Sequence, residues 1–306
     1  MVQKNSVKNK IIIICGPTAS SKTALAVECA KLLDTEVVSA DSLYVYKGLN
    51  VGTAKPSIEE MQGIPHHLID VINPSETFSV GDYKKRAEIA INDILNKGKT
   101  PIICGGTGFY INSILYDFSY GNSCANLNAR EYYKNLAEKF GNQYVHNILK
   151  EKDPISAEKI HFNDSKRVIR ALEIFESGNL KSEILDDLNP KYDYNAYTVT
   201  YPREFLYDRI NKRVDLMFEN GLIEEFKGLI DSGINENHQC MQGIGYKEIF
   251  PYLKGEISID ECKNIIKLNT RHYAKRQITF FKKLANLIPL EPNDIQLLAQ
   301  RIVSKL

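Results

Sequence analysis

The chain has 306 residues, 43% hydrophobic and 25% charged, with a formal net charge of +1, the composition of a soluble globular protein of one large domain or one and a half. No global basicity announces nucleic acid, so any such site must be a local patch, and no stretch is long and apolar enough to span a bilayer. The N-terminus imitates a signal peptide, but its apolar core of Ile11 to Cys15 stops at Gly16-Pro17, short of the roughly 7 to 15 residues such a core needs. The six cysteines (Cys15, Cys29, Cys104, Cys124, Cys240, Cys262) are far apart with no CxxC spacing, as expected of reduced thiols in a cytoplasmic protein.

The first element organises the rest. Ile11 to Cys15 reads as a strand buried on both faces, and TALAVECAKLL as an amphipathic helix. Between them stands Gly16-Pro17-Thr18-Ala19-Ser20-Ser21-Lys22-Thr23. A strand, loop and helix in this order make a phosphate-binding loop: helix N–H groups and Lys22 face the ligand, and the Thr23 hydroxyl can hold Mg²⁺. Ser21 stands where the pattern G-x-x-x-x-G-K-[ST] asks for glycine, implying a tolerable dihedral or a strain of about 1 kcal/mol or more.

Thr35 to Ala40 is the second predicted strand and delivers Asp41 and Ser42 at its carboxyl end, the edge where open α/β sheets bind ligands. The following stretch, SLYVYKGLNVGTAKP, is loop-rich and suited to touching a partner. Residues 64–72 (IPHHLIDVI) read as a third strand, its His66 and His67 serving packing or solvation because no Cys or carboxylate stands at metal spacing. Ser79 and Asp82 cap a helix whose buried stripe is Tyr83, Ala87, Ile91 and Ile94. Pro101 to Cys104 is a further strand, opening into Gly105-Gly106-Thr107-Gly108-Phe109-Tyr110 beside the first loop.

The composition then turns helical and polar, and the domains expected are 1–116 (first part of the α/β core), 117–197 (helical insertion) and 198–306 (core completion and C-terminal helices). Within the insertion, Arg167 and Arg170 near a helix start either await an anion or pair with Glu173 or Glu176 on the surface. Thr198 to Tyr201 returns the chain to the sheet, and helices follow from Arg203 to the end, with Arg209 and Arg213 on one face. Gly243 to Lys247 predicts a glycine turn with exposed aromatic and basic groups. Ser258 to Glu261 is a capping box opening a long helix. Lys263, Lys267, Arg271 and Lys275 recur along it every four residues with no acid from 263 to 283. That stripe is either a solvated face or a seat for a phosphate backbone. The fold class expected is α/β: a P-loop NTPase-like parallel sheet flanked by helices, with a helical insertion domain.

Two enzyme classes use such a loop. A small-molecule kinase passes on the γ-phosphoryl group of ATP; a transferase with a diphosphate leaving group holds the part that departs. The basic stripe, the tyrosine-rich loop and the insertion favour a macromolecular acceptor. A nucleotide-dependent tRNA-binding module without chemistry is a third class.

Together GPTASSKT, SADSLYVYKGLNVGTAKP, IPHHLID, GGTGFY, DPISAEKIHFND with the following KRVIRALE, MQGIGYKE and RHYAKRQITFF, in this order over nearly the whole chain, resemble the tRNA dimethylallyltransferase (tRNA isopentenyltransferase) family. Its bacterial form is the similar one, since the eukaryotic relatives' C-terminal zinc finger is absent. The resemblance implies transfer of a dimethylallyl group from dimethylallyl diphosphate to N6 of the adenosine 3′-adjacent to the anticodon, with Mg²⁺, by a cytoplasmic, membrane-free monomer. Asp41 is then the candidate base. The departing diphosphate is then held by the loop Gly16 to Thr23 through its free amides, by Lys22, by Mg²⁺ on Thr23, and by Arg167 and Arg213, and Thr107 holds either the base or the diphosphate end. Contacts to tRNA carry over to Asp41, Ser42, Leu43, Tyr44, Thr107, Arg130, Lys166, Arg167, Val168, Ile169, Arg170, Gln242, Gly243, Ile244, Gly245, Tyr246 and Lys247. The basic helix adds Lys267 and Arg271 from its charge pattern alone.

Overall fold

A run of four isoleucines is stable only with both strand faces covered. The computed structural model describes residues 8–116, 126–184 and 189–306; the expected insertion start at Asp117, the leader-like residues 1–7 and Cys124 lie outside them. The run forms strand β1 (Lys10–Cys15), with Ile11, Ile12 and Ile13 fully buried. Helix α1 (Lys22–Leu32) follows the loop, then β2 (Val37–Ser39), α2 (Ile58–Met61), β3 (His66–His67), α3 (Val80–Asn96), β4 (Ile102–Gly105) and α4 (Gly108–Leu115). The capping box at α3 forms as expected: Asp82 N–H donates to Ser79 Oγ (3.1 Å) and Ser79 N–H to Asp82 Oδ2 (3.0 Å).

Residues 116–190 form a compact helical unit of their own, with α5 (Leu127–Phe140), α6 (Asn142–Lys152), α7 (Pro154–Lys159) and α8 (Ser165–Glu176). Its core includes Tyr133, Val145, Leu149, Val168 and Leu172. The chain rejoins the first unit through β5 (Asp193–Val199) and continues with α9 (Arg203–Glu219), α10 (Leu222–Asp231), α11 (Ile249–Leu253), α12 (Ile259–Phe281), β6 (Leu287–Leu290) and α13 (Ile295–Val303). All six strands are parallel, in the order β3-β2-β4-β1-β5-β6. Ile12 lies opposite Ile102 on one side and Asn195 on the other, so β1 is central and the ends of β1, β2 and β4 open on one edge. Beneath them Ile12, Ile14, Leu25, Cys29, Leu298 and Ile302 form one apolar cluster with α1 and α13.

Three expectations are corrected. The third strand is two residues long, because Leu68 (φ 64°) and Asp70 (φ 55°) take left-handed backbone that ends the pleat; only an isolated bridge joins Tyr46 to Ile72. The return to the sheet begins at Asp193, so the expected boundary after residue 197 falls inside β5. The C-terminal part is not all helical: Leu287–Leu290 adds an edge strand, where Pro289 is tolerated because the outer side needs no N–H donor. The histidines also find a partner the sequence had not brought to them. His67 Nε2 lies 2.7 Å from Glu36 Oε2, and Lys97 donates to Glu36 Oε1 at 2.6 Å. His66 Nδ1 meets the Ile64 carbonyl at 2.8 Å.

Candidate active site

The loop after β1 is held in a conformation that its own sequence disfavours. Ala19 (φ 62°) and Ser21 (φ 61°) are both left-handed, each a strain of order 1 kcal/mol for a residue with a Cβ. Arg209 on α9 offsets it: Nε donates to the Ala19 carbonyl (2.8 Å) and Nη2 to Ser21 Oγ (2.9 Å). The doubt raised by Ser21 thus resolves as a strained residue with a dedicated partner. Gln277 on α12 accepts from Thr18 N–H (2.9 Å) and donates to the Gly106 carbonyl (2.9 Å), bracing the two glycine-bearing loops against each other. Lys22 Nζ donates to the Pro17 carbonyl at 2.5 Å. Burial pushes the Lys22 ammonium down to about 8, and the nearby Arg213 charge acts in the same direction.

Asp41 leaves the end of β2 beside this loop. Ala40 N–H donates to the Cys104 carbonyl (2.7 Å), and Thr107 N–H to the Ala40 carbonyl (3.0 Å). The strand ends are therefore stitched together, and Ser42 N–H completes the join by donating to Thr107 Oγ1 (3.1 Å). Asp41 Oδ1 accepts from Leu43 N–H (3.0 Å). Burial raises the Asp41 carboxyl above its ordinary range, against the Leu43 N–H and the Lys22 and Arg213 charges, which favour the anion. Close approach explains Gly105: a Cβ there would lie 2.2 Å from the Ala40 carbonyl oxygen. Gly105→Ala is expected to cost about 1 to 3 kcal/mol, read as a lower urea midpoint with unchanged slope.

Arg213, one turn beyond Arg209, reaches both walls. Its Nη1 donates to Thr18 Oγ1 (3.2 Å), and Nη2 to the Ala54 carbonyl (3.1 Å). Tyr44 OH donates to the same Ala54 carbonyl (2.9 Å). These groups line a cleft of about 1370 Å³ built wholly from the first unit, with Lys22, Thr23, Asp41, Arg213, Tyr273 and Arg276 on its walls. Of the expected site residues, Thr18 to Thr23, Asp41 to Tyr44, Arg213, Gln242 to Gly245 and Lys247 line it. Gly16, Pro17 and Thr107 are not among the lining residues, but the Pro17 carbonyl accepts from Lys22 and Thr107 Oγ1 from Ser42 N–H. Sequence reasoning held Tyr273 and Gln277 only within the motif RHYAKRQITFF, without a place in the cleft, and it noted Arg209 only as the neighbour of Arg213.

Seven expected contacts are engaged within the protein itself. Tyr246, expected exposed, is fully buried and donates to Glu225 (2.7 Å), because Gly52 leaves room for its ring. The first half of the basic stripe turns onto α9 rather than solvent: Lys267 pairs with Asp215 (2.6 Å) and Arg271 donates to Asn211 (2.7 Å). The acid missing from the helix itself comes from its neighbour. Val168 is core of the helical unit. Within that unit Arg130 (2.9 Å) and Arg170 (2.9 Å) both pair with the fully buried Glu173, while Arg167 pairs with Asp164 (3.3 Å). Burial alone would raise the Glu173 carboxyl, but the two arginines hold it below its ordinary range. Lys166 is exposed and Ile169 half-buried.

Comparison with known proteins identifies the family. The family model described as IPP transferase matches residues 44–284. A tRNA dimethylallyltransferase of Acetivibrio thermocellus is 47% identical over 283 residues, covering 91% of this chain and 90% of that protein. One from a Thermoanaerobacter species is 50% identical over 279 residues, covering 89% of each. The crystal structure of the full-length tRNA isopentenylpyrophosphate transferase of Bacillus halodurans superposes with a TM-score of 0.73 at 41% identity, covering 97% of both chains. A eukaryotic dimethylallyltransferase acting on tRNA superposes at 0.81 with 29% identity, covering 96% of this chain and 78% of that one. With matches of this extent and order, the chain belongs to the IPP transferase family, the family of the tRNA dimethylallyltransferases.

Proposed function

We infer that this chain transfers the dimethylallyl group of dimethylallyl diphosphate to N6 of the adenosine 3′-adjacent to the anticodon of tRNA. The observation that carries the reading is that Lys22, Arg213 and Asp41 open on one cleft in a chain whose relatives bear that enzyme's name. In the transfer the bond between the allylic carbon and the diphosphate oxygen breaks, its electron pair leaving with the diphosphate. The N6–carbon bond forms, and the N6 proton passes to the Asp41 carboxylate. An exocyclic amine is a weak nucleophile, so removal of its proton as the bond forms is worth about 10²- to 10⁴-fold. Charge developing on the diphosphate meets the loop amides, Lys22 and Arg213, each such donor being worth about 3 to 4 kcal/mol.

The donor set suits Mg²⁺. The Thr23 hydroxyl and the Asp41 carboxylate are hard oxygen donors on one cleft, and Mg²⁺ is ordinarily held by one or two such groups together with substrate phosphates. Thr23 would hold it, and the ion would supply positive charge to the diphosphate. The adenosine must leave its stack at a cost of a few kcal/mol. The walls at Asp41 to Tyr44, Gln242 to Gly245 and Lys247 are at hand to offset this, and the resemblance adds Thr107, Arg130, Lys166, Arg167 and Arg170. Lys267 and Arg271, engaged with Asp215 and Asn211 on α9, would have to leave those partners to meet a phosphate. As the resemblance implies, the protein works as a monomer, and a tRNA acceptor puts that work in the cytoplasm. Among the described residues no helix is long and apolar enough to cross a membrane.

Kinase chemistry and binding without chemistry are separated from this reading by one assay. With labelled dimethylallyl diphosphate or γ-labelled ATP, each with and without unmodified tRNA, label is expected in RNA only from the prenyl donor. Label passing from ATP to any acceptor, or prenyl label never reaching RNA, overturns the reading.

A further inference from the structure

Residues 50–54 are a loop without regular structure, yet three of its successive N–H groups converge on a single point. Asn50 and Val51 donate to Glu225 Oε2 (2.7 and 2.8 Å), and Gly52 donates to Oε1 (3.0 Å). Tyr246 OH donates to the same Oε1 (2.7 Å). A concave row of N–H groups of this kind ordinarily takes an anion. Here the anion is the protein's own carboxylate, whose acceptor capacity the four donors largely fill. The opposite side of the loop is equally constrained: a Cβ on Gly52 would stand 2.6 Å from the buried Tyr246 ring.

What the loop presents next bears on the reaction. The carbonyls of Thr53 and Ala54 accept from Arg213 Nη2 (3.5 and 3.1 Å), and Arg213 Nη1 goes on to Thr18 in the loop after β1 (3.2 Å). Ala54 itself has φ 48°, a backbone that a free loop would abandon. The link from Glu225 to Arg213 runs along the backbone, where Ala54 N–H donates to the Val51 carbonyl (3.0 Å) and ties the residues that Glu225 holds to those that Arg213 meets.

We propose that Glu225 is a positioning residue for the diphosphate step: it fixes residues 50–52 so that the Thr53 and Ala54 carbonyls aim the Arg213 guanidinium at the departing group. The proposal rests on the reading of Arg213 as a diphosphate donor. Without the carboxylate, three N–H groups face one another unsatisfied, the loop relaxes, and Arg213 loses the carbonyls that orient it while keeping its charge.

The test uses the full-length chain with dimethylallyl diphosphate and unmodified tRNA, after wild type has been shown to prenylate; absence of that activity would remove the parent reading rather than this one. Glu225→Gln is expected to raise KM for the diphosphate and lower kcat, together about tenfold or more in kcat/KM, with KM for tRNA moving less than twofold. Glu224→Gln, which removes a charge from the same helix turn at an exposed position, is expected to change neither. In the Arg213→Lys background the Glu225 substitution is expected to add little, since the two act as one unit. Gly52→Ala displaces the same loop without altering charge and is expected to give the same split, so the idea stays open to refutation should Glu225→Gln fail to fold. Equal rises in both KM values, or full additivity with Arg213→Lys, overturn it.

Discussion

Asp41→Asn is expected to slow prenyl transfer about a thousandfold while tRNA affinity stays within a few-fold of wild type. Asparagine keeps the size of the side chain and an oxygen for the Leu43 N–H, which donates to Asp41 Oδ1 at 3.0 Å, so β2 and its stitching to β4 should survive. What disappears is the group that accepts the N6 proton. The loss should therefore fall on kcat with both KM values little changed, the pattern of an interaction made only in the transition state. Single-turnover transfer with bound tRNA is the direct measurement, and an undiminished rate removes Asp41 as the base.

Lys22→Ala is expected to reduce kcat/KM for the diphosphate by about 10² to 10³ and to leave KM for tRNA in place. The same residue sets a pH limit. Burial brings the Lys22 ammonium to about 8 in the free protein, and the diphosphate favours its protonated form. Above pH 8 binding must take up a proton, and affinity falls by up to about tenfold per pH unit. At the acid end the carboxylate of Asp41, raised by burial, must be ionised to act, so the rate falls as the pH drops. Wild type should thus show a bell-shaped profile, and Lys22→Ala should lose the alkaline limb. A variant profile that still falls above pH 8 would assign that limb elsewhere.

Features written in local chemistry were readable from the chain alone. The isoleucine run, the capping boxes at Ser79 and Ser258, and the glycines after β4 all follow from neighbours within a few residues. β5 was misplaced because its covered faces are built from Tyr194, Asn195 and Tyr197 rather than from a continuous aliphatic run. β6 is only four residues long and carries a proline. The basic stripe looked unpaired because Asp215 and Asn211 belong to another helix. Of the cleft, Lys22 follows from the loop pattern and Asp41 from its place at a strand end, whereas the role of Arg213 comes with the family resemblance. Gln277 and Glu225 did not stand out, since a lone amide or carboxylate on a helix gains its meaning only from the backbone groups that tertiary packing delivers to it.

The bracing of the loop after β1 also bears on how the protein is made. Thr18 is held by Gln277, 259 positions further along, and Ser21 by Arg209, 188 positions further along. A ribosome-bound chain that has emerged only through β4 possesses the strand, the turn and the first helix, but not the side chains that hold Ala19 and Ser21 in their strained backbone. Such a fragment should have no competence for diphosphates. Capture of the prenyl donor is then expected only once α12 has been made.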